Sequence, residues 1–181
     1  MRREFSSGGV VFKRCLALRA KKLKTQNSKF KILWLVTKST ASKLYPKSVW
    51  RLPKGWLDDE DNGKNPGPMA SGLIKASESD LKDAALKEVK EEGGVKAKII
   101  KKIGTEKYFR KEKKETIVKF VTFYLMEWVK DSREGFGLET EEIAWLSDNK
   151  ARERLSYSGE RIILDKAKNL LKDLQKQPLL L

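Results

Sequence analysis

The chain has 181 residues, 39% of them hydrophobic, and 40 Lys+Arg against 25 Asp+Glu for a formal net charge of +15. That length fits a single domain, 1–181, with one sizeable core. The absence of histidine excludes Ser-His-Asp and Cys-His catalysis and the commonest zinc sets, and a lone cysteine, Cys15, excludes an intrachain disulfide. Acid–base chemistry is left to carboxylates, Lys, Tyr or a metal's own water, a reducing cytoplasm is the expected compartment, and the positive excess suits phosphate-rich partners.

The start, MRREFSSGGVVFKRCLALRA, is broken by Lys13, Arg14 and Arg19 and does not read as a signal peptide. The apolar stretches ILWLV (32–36) and FVTFYLMEWV (120–129) fall short of the roughly 20 residues of a membrane helix, so no membrane partner is expected. In chain order, GGVVFK (8–13) and KILWLVT (31–37) read as strands around a basic loop, and SVWRLP (48–53) as a third strand stopped by Pro53. From Lys54 to Ser79 the chain is rich in Gly, Pro, Asn and Asp and reads as a long loop.

Residues 80–92 have helical spacing, with Ser77 or Ser79 to cap the start and Gly93-Gly94 to end it. Strands are expected at 97–109 and 116–128, joined by the charged turn RKEKKE, and a short one at 142–147. The last segment places Ile163, Ala167, Leu170, Leu171 and Leu174 on one helix face behind Ser158, predicting a helix over about 158–177 that packs on the sheet.

The segment ALKEVKEEGG (85–94) is the chemical signal. At 100° per residue, Glu88, Glu91 and Glu92 share an arc of roughly 100° on the side of Leu81, Ala84, Ala85 and Val89, with Asp83, Lys87 and Lys90 opposite. Like charges so placed repel, and more so where water is partly excluded. A divalent cation relieves this, since Mg²⁺ takes a few carboxylates and keeps waters or phosphates elsewhere; a glutamate-rich surface helix salt-bridged to lysines is the alternative.

Gly55 followed by Lys87-Glu88-Val89-Lys90-Glu91-Glu92-Gly93-Gly94-Val95 resembles the box of the Nudix family, G-x5-E-x7-R-E-U-x-E-E-x-G-U. Its second half matches at every specified position except that Lys87 stands for the arginine. The first half is interrupted by an insertion at about 62–79, which leaves Asp61, Glu78 or neither for the first glutamate. The resemblance implies an α/β fold, a Nudix-like α/β/α sandwich with a central mixed sheet, and hydrolysis of a nucleoside diphosphate linked to another group. It further implies a magnesium (alternatively Mn²⁺) site of Glu88, Glu91, Glu92 and the Gly55 carbonyl, one of the glutamates serving as base.

An acidic residue from a later loop is also expected, with Glu139 the first choice and Glu142 the second. LPKGW resembles the branch that hydrolyses diadenosine polyphosphates, which makes Arg51, Lys54 and Lys119 candidate phosphate contacts and Tyr108, or Phe109, a base-stacking surface. The alternatives are an RNA 5′-end pyrophosphohydrolase or decapping-type enzyme, favoured by the +15 charge; a diphosphoinositol polyphosphate hydrolase; and a non-catalytic nucleotide- or RNA-binding module. Gly63-Lys64-Asn65 lacks the spacing and the Ser/Thr of a P-loop.

Overall fold

A computed structural model describes residues 1–16, 30–41, 46–61, 63–112 and 115–176. Nine strands are described: β1 (Arg2–Leu16), β2 (Phe30–Ser39), β3 (Trp50–Arg51), β4 (Lys54–Trp56), β5 (Asp59–Glu60), β6 (Asn65–Pro66), β7 (Val95–Glu112), β8 (Glu115–Asp131) and β9 (Thr140–Leu146). The helices are α1 (Glu78–Gly93), α2 (Asp148–Arg154) and α3 (Ser158–Lys176). The main sheet runs β3-β2-β1-β8-β7, with β4 joined to β1 and β9 to β2. Strands β1 and β8 are parallel and the other pairings antiparallel, so the sheet is mixed as expected.

Alternation along the central strands builds two cores. Val10 and Phe12, Trp34 and Val36, and Val121, Phe123 and Leu125 face one way, where Ala151, Leu155, Ile163, Leu164, Ala167 and Leu171 of the α2–α3 layer cover them. Val11, Leu35, Tyr124 and Met126 face the other way, against Ala85 and Val89 of α1. The result is an α/β/α sandwich, and it explains why these strands read as continuous apolar runs: both faces are buried.

Helix α1 starts where Ser77 accepts the Asp80 N–H at 3.2 Å and the Asp80 carboxylate accepts the Ser77 N–H at 2.7 Å, a reciprocal cap that selects Ser77 over Ser79. It ends at Gly94, whose left-handed backbone (φ 63°) lets its N–H reach the Lys90 carbonyl at 3.0 Å. The third expected strand shrinks to Trp50–Arg51, because Pro53 offers no N–H to a ladder. Helix α2 was not expected: six polar residues around a single fully buried Ala151 carry no apolar period to reveal them.

The expected loop from Lys54 to Ser79 holds more order than its composition predicts. It contains β4 and the small β5–β6 hairpin, and Asp58 gathers it by accepting the N–H groups of Met69 (3.0 Å) and Ala70 (2.6 Å). The Ala70 carbonyl in turn accepts the Phe5 N–H at 2.8 Å, which ties this segment to β1. Residues 113–114 of the charged turn and the terminal PLLL lie outside the described residues. Among the described residues no helix is long and apolar enough to cross a membrane.

Replacing Asp58 with Ala leaves the buried Ala70 N–H without its acceptor, a cost of about 1–3 kcal/mol. The expected outcome is a lower urea midpoint with faster amide exchange at Met69 and Ala70, measured by hydrogen exchange.

Candidate active site

The three box glutamates have three different environments. Ala84, Ala85 and Val89 seat α1 on the sheet, and one turn further on Glu92 is turned inward at 3% exposure, Glu88 is half-buried and Glu91 is exposed. The Glu92 carboxylate meets the Arg51 guanidinium through Oε1 and accepts the Lys54 N–H at 2.9 Å through Oε2. Its main-chain oxygen accepts the Thr140 hydroxyl at 2.9 Å, and the neighbouring Glu91 carbonyl accepts the Gly137 N–H at 2.7 Å. The loop before β9 is thereby docked on the last turn of α1.

Gly55 lies in β4 opposite Ser7, and a Cβ there would overlap the Glu88 carboxyl group. The glycine is required because strand backbone and carboxylate share this space.

Burial first, then the charges of Glu92 and Glu91, push the Glu88 carboxyl up to about 8; Lys87 opposes this and Glu139 adds to it. Glu92 is also raised, chiefly by burial, against the pull of Arg51 and Lys54. Glu139 acts on both groups, so the later loop brings its carboxylate within electrostatic reach of the helix. Glu142 lies exposed on β9, paired in register with Lys38.

Among the described residues no three acidic side chains form a ready-made metal cage. The donor set nevertheless fits a hard divalent cation. It offers carboxylate oxygens whose mutual repulsion a cation relieves, beside a glycine strand pressed against one of them.

The basic candidates are less free than the sequence suggests. The Lys54 ammonium pairs with Glu160 of α3; burial works to lower its pKa, but Glu160 prevails and holds it above the usual lysine value. Glu160, 1% exposed, also accepts the Leu52 N–H at 2.7 Å. Tyr108 is half-buried against the core, and burial raises its hydroxyl pKa. Phe109 is 63% exposed. Lys119 stands 3.4 Å from the fully buried Glu4 and 5.5 Å from the Trp56 ring centroid, and burial lowers its pKa to about 8.

Lys87, in the place of the box arginine, reaches Asp59 at 3.6 Å. Glu78 receives Tyr124 and Lys102, each at 2.8 Å, at the start of α1, 14 residues or about 21 Å along the helix from Glu92. Asp61 is exposed and accepts from Asn65 at 2.8 Å. Neither joins the glutamate cluster.

Glu160, Glu4, Trp56 and Thr140 escaped the sequence reading. Glu160 looked like an ordinary first-turn acid of a C-terminal helix. The others gain meaning only from strands distant in sequence.

These features and the sequence agree on a class. The NUDIX domain family matches residues 23–165, and the chain belongs to that family. It is 27% identical over 127 residues to the MutT4 protein of Mycobacterium tuberculosis, covering 70% of this chain and 44% of that one; the chain thus spans under half the length of this relative. Among solved structures it resembles a NUDIX hydrolase from Nitrosomonas europaea, with TM-score 0.58, 13% identity, and 98% and 94% of the two chains covered. It also resembles a C. elegans Ap4A hydrolase in a binary complex, with TM-score 0.54, 16% identity, and 94% and 98% covered. At these identities the likeness is one of fold.

A Gly55→Ala protein is expected to fold, with Glu88 displaced from β4. Its turnover should fall by about 10-fold or more while its far-UV circular dichroism stays that of the wild type, since a displacement of about an ångström at a reacting centre is that costly.

Proposed function

We propose that this protein is a Mg²⁺-dependent hydrolase that cleaves a phosphoanhydride bond in a dinucleoside polyphosphate. The observation that carries the reading is the meeting of Glu88 with the Gly55 strand beside a clamped Glu92, within the matched family segment. The LPKGW resemblance and the fold likeness to the C. elegans Ap4A hydrolase support the substrate class.

In this reading Glu88, Glu91, Glu92, the Gly55 carbonyl and Glu139 hold the cation. When bound, Mg²⁺ neutralises charge on the diphosphate and favours the attacking water. One of the box glutamates serves as proton acceptor for the attacking water. Lys119 supplies positive charge for the phosphates and Tyr108 a ring beside it, while Lys54, paired with Glu160, and Arg51, held by Glu92, add to the positive field without contacting the phosphates. Lys119 and Tyr108 are paired in register across β8 and β7.

The decisive experiment is a Mg²⁺-dependent hydrolysis panel of diadenosine polyphosphates, nucleoside di- and triphosphates, diphosphoinositol polyphosphates and 5′-triphosphate RNA. Diadenosine polyphosphates are expected to give the highest kcat/KM, and the Glu91→Gln, Glu92→Gln double mutant to fall to background. Turnover retained in that mutant would remove the metal-site assignment. No turnover of any member by the wild type would instead make this a binding module.

A pH profile tests Lys119. In the free protein its ammonium is charged below about 8 and neutral above, whereas an ordinary lysine keeps its proton to about 10.5. At saturating Mg²⁺, which holds the box glutamates ionised, kcat/KM should therefore fall as pH rises through about 8. Lys119→Arg should abolish that limb.

A further inference from the structure

The box pattern puts a guanidinium beside the glutamates at position 87, and this chain has a lysine there. An ammonium on a flexible stem cannot supply the planar fork that fixes a carboxylate's orientation. Lys87 is moreover about half exposed and lies 3.6 Å from Asp59 of the β5–β6 hairpin, so its ion pair points to that hairpin. The glutamate that most needs orienting is Glu92, buried at the end of the helix.

A guanidinium reaches it from another element. The Arg51 side chain, 23% exposed, contacts Glu92 Oε1, while the Lys54 N–H takes Oε2 at 2.9 Å. Arg51 is fixed at its backbone: it pairs in register with Thr37 of β2, and its carbonyl accepts the Thr37 hydroxyl at 3.3 Å. Its contact with Glu92 is made through Nη2 alone, and its buried Nε–H has no hydrogen-bond partner among the described residues. The guanidinium therefore stands on the β3 backbone and not on the exposed helix face that carries Lys87.

We infer that Arg51 is a positioning residue that acts through Glu92, supplying from β3 the guanidinium that the box pattern otherwise supplies from α1. This rests on the reading of Glu92 as a metal ligand, and it separates Arg51 from the phosphate contacts. A residue that orients a metal ligand changes metal affinity in the absence of substrate. A phosphate contact changes KM.

The test measures Mn²⁺ binding by calorimetry without substrate, beside kcat and KM with diadenosine tetraphosphate and Mg²⁺. Arg51→Gln is expected to weaken Mn²⁺ binding and lower kcat by about 10–100-fold, with KM nearly unchanged. Arg51→Lys, which keeps the charge and drops the fork, should fall between the two. In a Glu92→Gln background, Arg51→Gln should add no further loss of Mn²⁺ affinity, because the group it acts through is gone.

Unchanged Mn²⁺ affinity with a raised KM in Arg51→Gln would overturn the inference, as would an additive loss in the Glu92→Gln background. If Arg51→Gln fails to fold, Arg51→Lys decides, and full metal affinity and turnover in it would overturn the inference. A wild type that binds no Mn²⁺ would remove the metal-centre reading and this inference together, whereas a wild type that binds Mn²⁺ equally with Arg51→Gln would remove this inference and leave that reading standing.

Discussion

Glu92 is an acid that the fold has taken out of water. Burying a carboxylate is costly unless it is paired and its oxygens are hydrogen-bonded, and here both oxygens are occupied, one by Arg51 and one by the Lys54 N–H. Each partner belongs to the short β3–β4 segment, so the clamp fixes the distance between the helix that carries the acids and the strand that carries Gly55. Thr140 closes the third side through the Glu92 carbonyl, which sets the later loop and Glu139 against the same turn.

The rest of the architecture can be seen as support for that clamp. The β3–β4 segment has few ladder bonds of its own, and Glu160 secures it from the opposite layer by binding the Leu52 N–H and the Lys54 ammonium. Helix α3 therefore contributes more than apolar cover: its first turn holds the backbone on which the site is built. Lys54 shows how one residue can serve two layers, its N–H facing Glu92 and its ammonium facing Glu160. That division of labour explains why a lysine that looks like a phosphate ligand in sequence is already engaged on the side away from the glutamates.

The surplus of positive charge has a comparable two-part structure. Some cations are placed by buried carboxylates, as Lys119 is by Glu4, and lose part of their basicity to burial. Others, like Lys87 and Lys102, sit on the surface in exposed pairs of small energetic weight. A polyanion approaching the molecule meets the sum of these charges at long range, and at short range the few that the fold has oriented.

How much of this was legible follows from what kind of signal each feature leaves. The helix 80–92, its glycine stop and the apolar strands could be placed from the chain because period, capping residues and β-branched runs are local properties. The facial grouping of Glu88, Glu91 and Glu92 follows from helix geometry, and with Gly55 it carried the family resemblance. Local pattern could not show that Asp58 orders the segment after β4, that a polar segment folds as α2 around Ala151, or that Arg51 rather than Lys87 meets Glu92. Each of those depends on partners 11 to 41 residues apart or on a burial imposed by another layer. The sequence by itself determined the elements and the acidic face, because these rest on neighbours three or four residues apart. Tertiary structure decided which cation holds which acid, because burial sets the cost of an unpaired charge and packing alone selects the partner within reach.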